Sequence, residues 1–139
     1  ILPWEKRVFS QFARSAVHKT DIVLHTRGLS EGNYCYTRDS VRGILTIAVR
    51  GEAGQAYNVS NERTHTTIAG MAQMVADRIA DGAIRVIYDI PETNTFGYAA
   101  DTKLFLDASK LRALGWEPEV DLEEMYRRLI ASMENEGIA

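Results

Sequence analysis

With one cysteine, Cys35, among 139 residues, the chain cannot build an internal disulfide framework, and this cysteine usage suits a reducing compartment. No apolar run approaches the roughly 20 residues needed to span a bilayer, so no membrane span is expected. Sixteen Lys and Arg against 19 Asp and Glu leave a net charge of −3. Without a basic excess there is little counterion release to drive nucleic-acid binding, which argues against a nucleic-acid partner. The three histidines, His18, His25 and His65, are isolated from Cys35 and from one another, and no spacing matches a structural zinc site. No G-x-S-x-G elbow exposes a serine nucleophile.

Two further absences carry more weight. The ten glycines include no G-x-G-x-x-G, so the turn that cradles a dinucleotide pyrophosphate is missing. No tyrosine is followed four residues later by lysine; Tyr34 and Arg38 come nearest. A Tyr–Lys pair at that helical spacing lets the ammonium depress the phenol pKa and position an acid/base. This chain is therefore expected to supply neither that dinucleotide-binding turn nor that acid/base pair, and no metal site.

What is present is the composition of one soluble globular domain, 45% hydrophobic and 25% charged. The chain opens Ile1-Leu2-Pro3-Trp4, with no Met, no basic segment and no small-residue cleavage site, and this predicts a piece of a longer protein. Val8, Phe9, Phe12, Ala13, Ala16 and Val17 recur as one apolar face of a helix between Glu5 and Lys19. Ile22–His25 is expected as a strand, Gly28–Gly32 as a loop, and Asn33–Tyr36 as a second short extended segment. A helix follows from Arg38 to Arg50, with Thr37 as N-cap and Gly51 as its stop. Ala56–Val59 is strand-like. Thr67 caps a helix carrying Ile68, Met71, Ala72, Val75 and Ile79 and ending at Asp81-Gly82. Ile84–Tyr88 is expected as a buried strand closed by Pro91, and Glu92–Lys103 as a loop. Asp107 caps a short helix through Leu111 and Leu114 that Gly115 stops. Asp121 and Glu124 form a D-x-x-E capping box for the last helix, whose stripe is Leu122, Met125, Tyr126, Leu129, Ile130 and Met133. The fold class is α/β, a small lobe of helices with a few short strands.

Four segments carry a family resemblance. They are the helix containing Arg7-Val8-Phe9-Ser10-Gln11-Phe12 with the strand Ile22–His25; Asn33-Tyr34-Cys35-Tyr36-Thr37-Arg38-Asp39, similar to an aromatic-x-Tyr-Val-x-Asp signature; Gly54-Gln55-Ala56-Tyr57-Asn58-Val59, similar to a G-x-x-Y-N-v/i strand; and Leu106-Asp107 through Lys110, Leu114-Gly115-Trp116 and Pro118, similar to an L-D-x-x-K-x-x-x-L-G-W-x-P tail. In this order the chain resembles the C-terminal, substrate-binding part of the extended short-chain dehydrogenase/reductases, the NAD-dependent nucleotide-sugar epimerases and dehydratases. The resemblance implies that residues 1–139 form the sugar-nucleotide-binding domain. The N-terminal NAD-binding Rossmann domain, with its glycine motif and Tyr-x-x-x-Lys, would lie outside this chain. It also implies NAD in the full-length enzyme and none in this fragment, a nucleoside-diphosphate sugar as ligand, a cytoplasmic location, and a fragment that is inactive alone. Homodimerisation, which the family achieves through helices of the other half, stays open.

Carried over residue by residue, the resemblance assigns Glu5, Lys6, Arg7 and Val8 to the diphosphate and base region, at a helix start whose free N–H groups suit an anion. Arg14 and His18 share an arc with Arg7. Val23 and His25 would contact the nucleotide, His25 by stacking. The family's diphosphate-gripping Arg falls here on Gly32, and Arg27, Arg38 or Lys103 would replace it. Plainer roles stand beside these: Asp39 as a helix cap, Trp116 folded over the short helix, Asn58 satisfying backbone groups, and Met71, Met74, Met125 and Met133 in the core. Cys35 is expected as packing, and Glu123 and Glu124 as partners of a helix dipole. A rival assignment is an autonomous protein-interaction module with no catalytic role.

Overall fold

The computed structural model describes residues 5–93, 95–135 and 137, so the Ile1–Trp4 opening lies outside the described residues. In chain order the elements are α1 (Val8–His18), β1 (Ile22–Leu24), β2 (Glu31–Gly32), α2 (Thr37–Arg50), a 3-10 turn (Glu62–Thr64), β3 (Thr66–Thr67), α3 (Ile68–Met74) running into a π turn (Val75–Ile79), β4 (Val86–Tyr88), α4 (Ser109–Arg112) and α5 (Leu122–Asn135). The chain forms two compact units, each assembled from separated stretches. One comprises 1–30, 67–102 and 123–139, and the other 31–66 and 103–122.

Part of each expected stripe forms the core of the first unit, while Val8, Phe9, Ala16, Val17, Ile68, Ile79, Leu122, Leu129 and Ile130 are half-buried. Phe12 and Ala13 of α1, Met71, Ala72, Val75 and Ala76 of α3 and its π turn, and Met125, Tyr126 and Met133 of α5 are buried. The Phe9 and Tyr126 rings stack with centroids 4.1 Å apart and planes 14° from parallel, an arrangement that adds to plain area burial. Helix α1 ends where Lys19 turns left-handed (φ 52°) and the Thr20 N–H bonds back to the Ser15 carbonyl; this reversal satisfies carbonyls that the last helical turn leaves open. Thr67 caps α3 as expected, its hydroxyl accepting the Gly70 N–H at 2.9 Å. Asp81 and Gly82, both at positive φ, end that segment. Gly28 at φ 64° fits because a Cβ there would lie 2.8 Å from the Ala69 nitrogen.

Strand β1 pairs in parallel with β4, Ile22 opposite Val86 and Leu24 opposite Tyr88. The burial expected over Ile84–Tyr88 does not hold. Ile84 is buried but precedes the strand, while Ile87 and Tyr88 are exposed. A two-stranded parallel pair has one face on the core and lacks the second covering layer that buries the strands of larger parallel sheets.

In the second unit, Ala108, Leu111 and Trp116 form the centre, with Cys35, Ile47, Tyr57, Val59 and Leu114 packed around them. Gly43 of α2 faces this cluster so closely that a Cβ would sit 3.1 Å from Val59 and 3.3 Å from the Trp116 ring nitrogen. Helix α2 starts one residue earlier than expected, with Tyr36 rather than Thr37 in the cap position. Asn33–Tyr36 and Ala56–Val59 join no strand. Side chains there take over bonds that a ladder would supply: the Asn33 amide donates to the Leu106 carbonyl at 3.0 Å, the Thr64 hydroxyl accepts the Tyr34 N–H at 2.8 Å, and the Asn58 amide donates to the Asp107 carbonyl at 2.9 Å. Ala108 rather than Asp107 holds the cap position of α4; the Asp107 carboxylate, one residue earlier, accepts the Ser109 N–H at 2.7 Å, and Gly115 at φ 90° follows that helix.

Asp39 is no helix cap. Fully buried, its carboxylate accepts the N–H groups of Glu119 at 2.8 Å and Val120 at 2.9 Å, while its carbonyl accepts the Trp116 indole N–H at 2.9 Å. A buried carboxylate needs such donors, and here the segment after Trp116 supplies them.

Candidate functional site

The expected site residues fall into both units: Glu5, Lys6, Arg7, Val8, Val23 and His25 in the first, Arg38 and Lys103 in the second. Arg7 is the N-cap residue of α1. Its N–H donates to one oxygen of Glu5 at 2.9 Å and its guanidinium to the other at 2.6 Å. These bonds pull the Glu5 carboxyl down to about 2, led by the guanidinium contact. Arg14 reaches back to the Glu5 carbonyl, and Gln11 to that of Lys6. Arg7 and Arg14 thus converge on Glu5. The helix start carries its own carboxylate, and an incoming anion meets a guanidinium already paired but 84% exposed. One Arg14 nitrogen, Nη1, is buried without a hydrogen-bond partner. His18, in the last turn of α1, is exposed.

Strand alternation turns Val23 outward between buried Ile22 and Leu24. His25 follows the strand, its Nδ1 lying 2.9 Å from the Asp89 carbonyl. Because a carbonyl can only accept, Nδ1 carries the proton in this contact. The His25 ring stacks on Phe96, with centroids 4.3 Å apart and planes 25° from parallel, and Phe96 lies 5.9 Å from Tyr98. Sequence reasoning missed these two aromatics, which stand in the Glu92–Lys103 segment without periodicity. Two rings within three residues of an otherwise polar stretch were the available signal.

In the second unit, Arg38 pairs with Glu119 at 2.6 Å and lies 3.6 Å from Asp39, and Arg42 also pairs with Glu119. Lys103 is exposed, its backbone bridged to Glu31. Gly32, onto which the resemblance maps a diphosphate-binding Arg, lies in β2. A cavity of about 420 Å³ opens among Asn61, Glu62, Arg63, Phe105, Arg112 and Pro118. Its main cation is already engaged, since Arg112 contacts Glu62 at 2.6 Å, Asp107 at 3.8 Å and Glu117 at 4.0 Å. Burial pushes the Glu62 carboxyl up, but Arg112 and the Ala108 N–H outweigh it and hold the group below its ordinary value. Burial pushes the Cys35 thiol up, away from nucleophilic character. Among the described residues no His, Cys, Asp and Glu group is placed to hold a metal, and no helix is long and apolar enough to cross a membrane.

No family model matches the chain. Among curated proteins it is 21% identical over 134 residues to the dTDP-D-glucose 4,6-dehydratase of Mus musculus, a match covering 91% of this chain and 36% of that protein. Among solved structures it is similar to the UDP-glucose 4-epimerase of Thermotoga maritima, solved with UDP-glucose, at a TM-score of 0.75 and 23% identity over 99% of this chain and 42% of the other. It is also similar to the dTDP-glucose 4,6-dehydratase of Bacillus anthracis, solved with NAD, at a TM-score of 0.72 and 16% identity over 93% and 39%. The chain spans about a third of the length of the curated relative. Its fold is that of the C-terminal portion of extended short-chain dehydrogenase/reductase epimerases and dehydratases, and its sequence resembles theirs.

Proposed function

We propose that this chain is the sugar-nucleotide-binding portion of an NAD-dependent epimerase or dehydratase, acting on a nucleoside-diphosphate sugar through a transient 4-keto intermediate. The observation that carries this reading is that nearly the whole chain superposes on less than half of an epimerase solved with its sugar nucleotide. In the proposed enzyme NAD supplies hydride transfer at the sugar, and a part outside this chain holds both NAD and the acid/base pair. This chain's share is binding and orientation. Arg7 and the α1 start, with Arg14 behind them, would face phosphate oxygens, and Val23 and His25 would face the base; in the other unit, Arg38 and Lys103 are the cations to which the resemblance points.

Helix α2 supports the same reading. Val41, Ile44, Leu45 and Val49 lie on one stripe and are all exposed, a contiguous apolar surface that favours a covering neighbour. We assign that neighbour as the remainder of the enzyme, because the matched relatives have more than half of their length without a counterpart here. An autonomous interaction module would use the same stripe, and ligand titration separates the two readings. Adding UDP-glucose or dTDP-glucose to the chain, followed by NMR, should shift amides at Glu5–Val8 and Val23–His25, while NAD alone shifts none. Absence of sugar-nucleotide binding in both the chain and the intact enzyme that contains it would sink the proposal.

A further inference from the structure

The His25–Phe96 stack points beyond the expected role of His25. Phe96 belongs to a stretch without helix or strand, yet its ring lies nearly flat against an imidazole that the Asp89 carbonyl holds in place. One side of the His25 ring is thereby taken. Phe96 itself stays 55% exposed and Tyr98 beside it 48% exposed, so an aromatic surface faces water beside His25. A phenyl ring has no donor or acceptor with which to hold a phosphate or a sugar hydroxyl. What it offers is a π face, and the flat, weakly polar group of a sugar nucleotide that matches it is the base.

We propose that Phe96 is the base-stacking residue of this chain, the nucleobase resting on its exposed ring and lengthening the His25–Phe96 stack by one member. The proposal rests on the sugar-nucleotide reading and deepens it by naming the contact that replaces direct stacking on His25. Since every base presents a π face, this contact discriminates little between uracil and thymine. Phe96→Ala should therefore weaken both nucleotides alike.

The test is calorimetric titration of UDP, dTDP and inorganic pyrophosphate into the intact enzyme carrying this chain, as wild type, Phe96→Ala and Phe96→Trp. Phe96→Ala should weaken UDP and dTDP by about 10-fold, within the range for loss of one base–aromatic stack, and leave pyrophosphate unchanged. Phe96→Trp should retain nucleotide affinity, and UDP should quench the new indole. Unchanged UDP and dTDP affinity in Phe96→Ala, or an equal loss for pyrophosphate, overturns the base-stacking role while leaving the sugar-nucleotide reading intact. Failure of the wild type to bind either nucleotide overturns both.

Discussion

The carboxylate of Asp39, in the first turn of α2, accepts the backbone N–H of Val120, 81 residues further along the chain, at 2.9 Å. The neighbouring Glu119 N–H and the Trp116 indole complete a buried latch on the same residue. Bonds to a charged acceptor contribute more than neutral ones, and an orphaned buried N–H adds its own cost. Asp39→Ala should cost about 3 kcal/mol in urea unfolding, and Asp39→Asn, which keeps one acceptor oxygen, about half as much. Equal stability for Asp39→Ala and wild type would show that the latch contributes nothing.

Gly43 gives a prediction of sign. In an exposed helix interior, Gly→Ala gains roughly 0.5–1 kcal/mol. Here the added methyl meets Val59, Leu111 and Trp116 at 3.1–3.3 Å, and overpacking costs about 1–3 kcal/mol. Gly43→Ala should lower the denaturation midpoint, whereas a raised midpoint would mean that the Trp116 cluster yields freely.

The helices were legible because periodicity and caps are local. The α1 and α5 stripes, the Thr67 cap and the Asp107 turn follow from neighbours within a few residues. Asp39 looked like a cap for the same reason, and its true partners were invisible because they lie some 80 residues away. Ala56–Val59 has the residue types of a strand but no strand beside it to pair with. Ile84–Tyr88 has the pattern of a buried strand, yet burial depends on how many layers the sheet has, which composition does not encode. At the candidate site, the order of motifs pointed to Arg7 and His25, while the Glu5 clasp and the Phe96 stack depend on rotamers and on a loop path without periodicity.

Glu62 makes the second unit sensitive to acid. Its carboxyl is held below the ordinary 4.5 by Arg112 and the Ala108 N–H, against the opposing effect of burial. Because the folded-state value is the lower one, the stabilisation is fully present above pH 4.5 and disappears as pH falls through the folded value. Wild type should lose stability over that window more steeply than Glu62→Gln, whose side chain does not titrate. Parallel stability–pH curves for the two proteins would exclude Glu62 as a source of the acid sensitivity.

Arg7 and Glu5 separate binding from folding. The pair is exposed on the arginine side and spans two residues, so its loss should leave thermal stability nearly unchanged. Arg7→Ala nevertheless removes the largest cause of the low Glu5 value, and the carboxyl should titrate back from about 2 toward 4.5 by NMR. The same substitution takes away an exposed guanidinium at the α1 start, so affinity for UDP-glucose should fall by roughly 10-fold at low salt, with a smaller difference at high salt. If Glu5 shifts as expected while UDP-glucose affinity stays at the wild-type value, Arg7 serves only to anchor Glu5, and the phosphate contact must be sought at Arg14, Arg38 or Lys103.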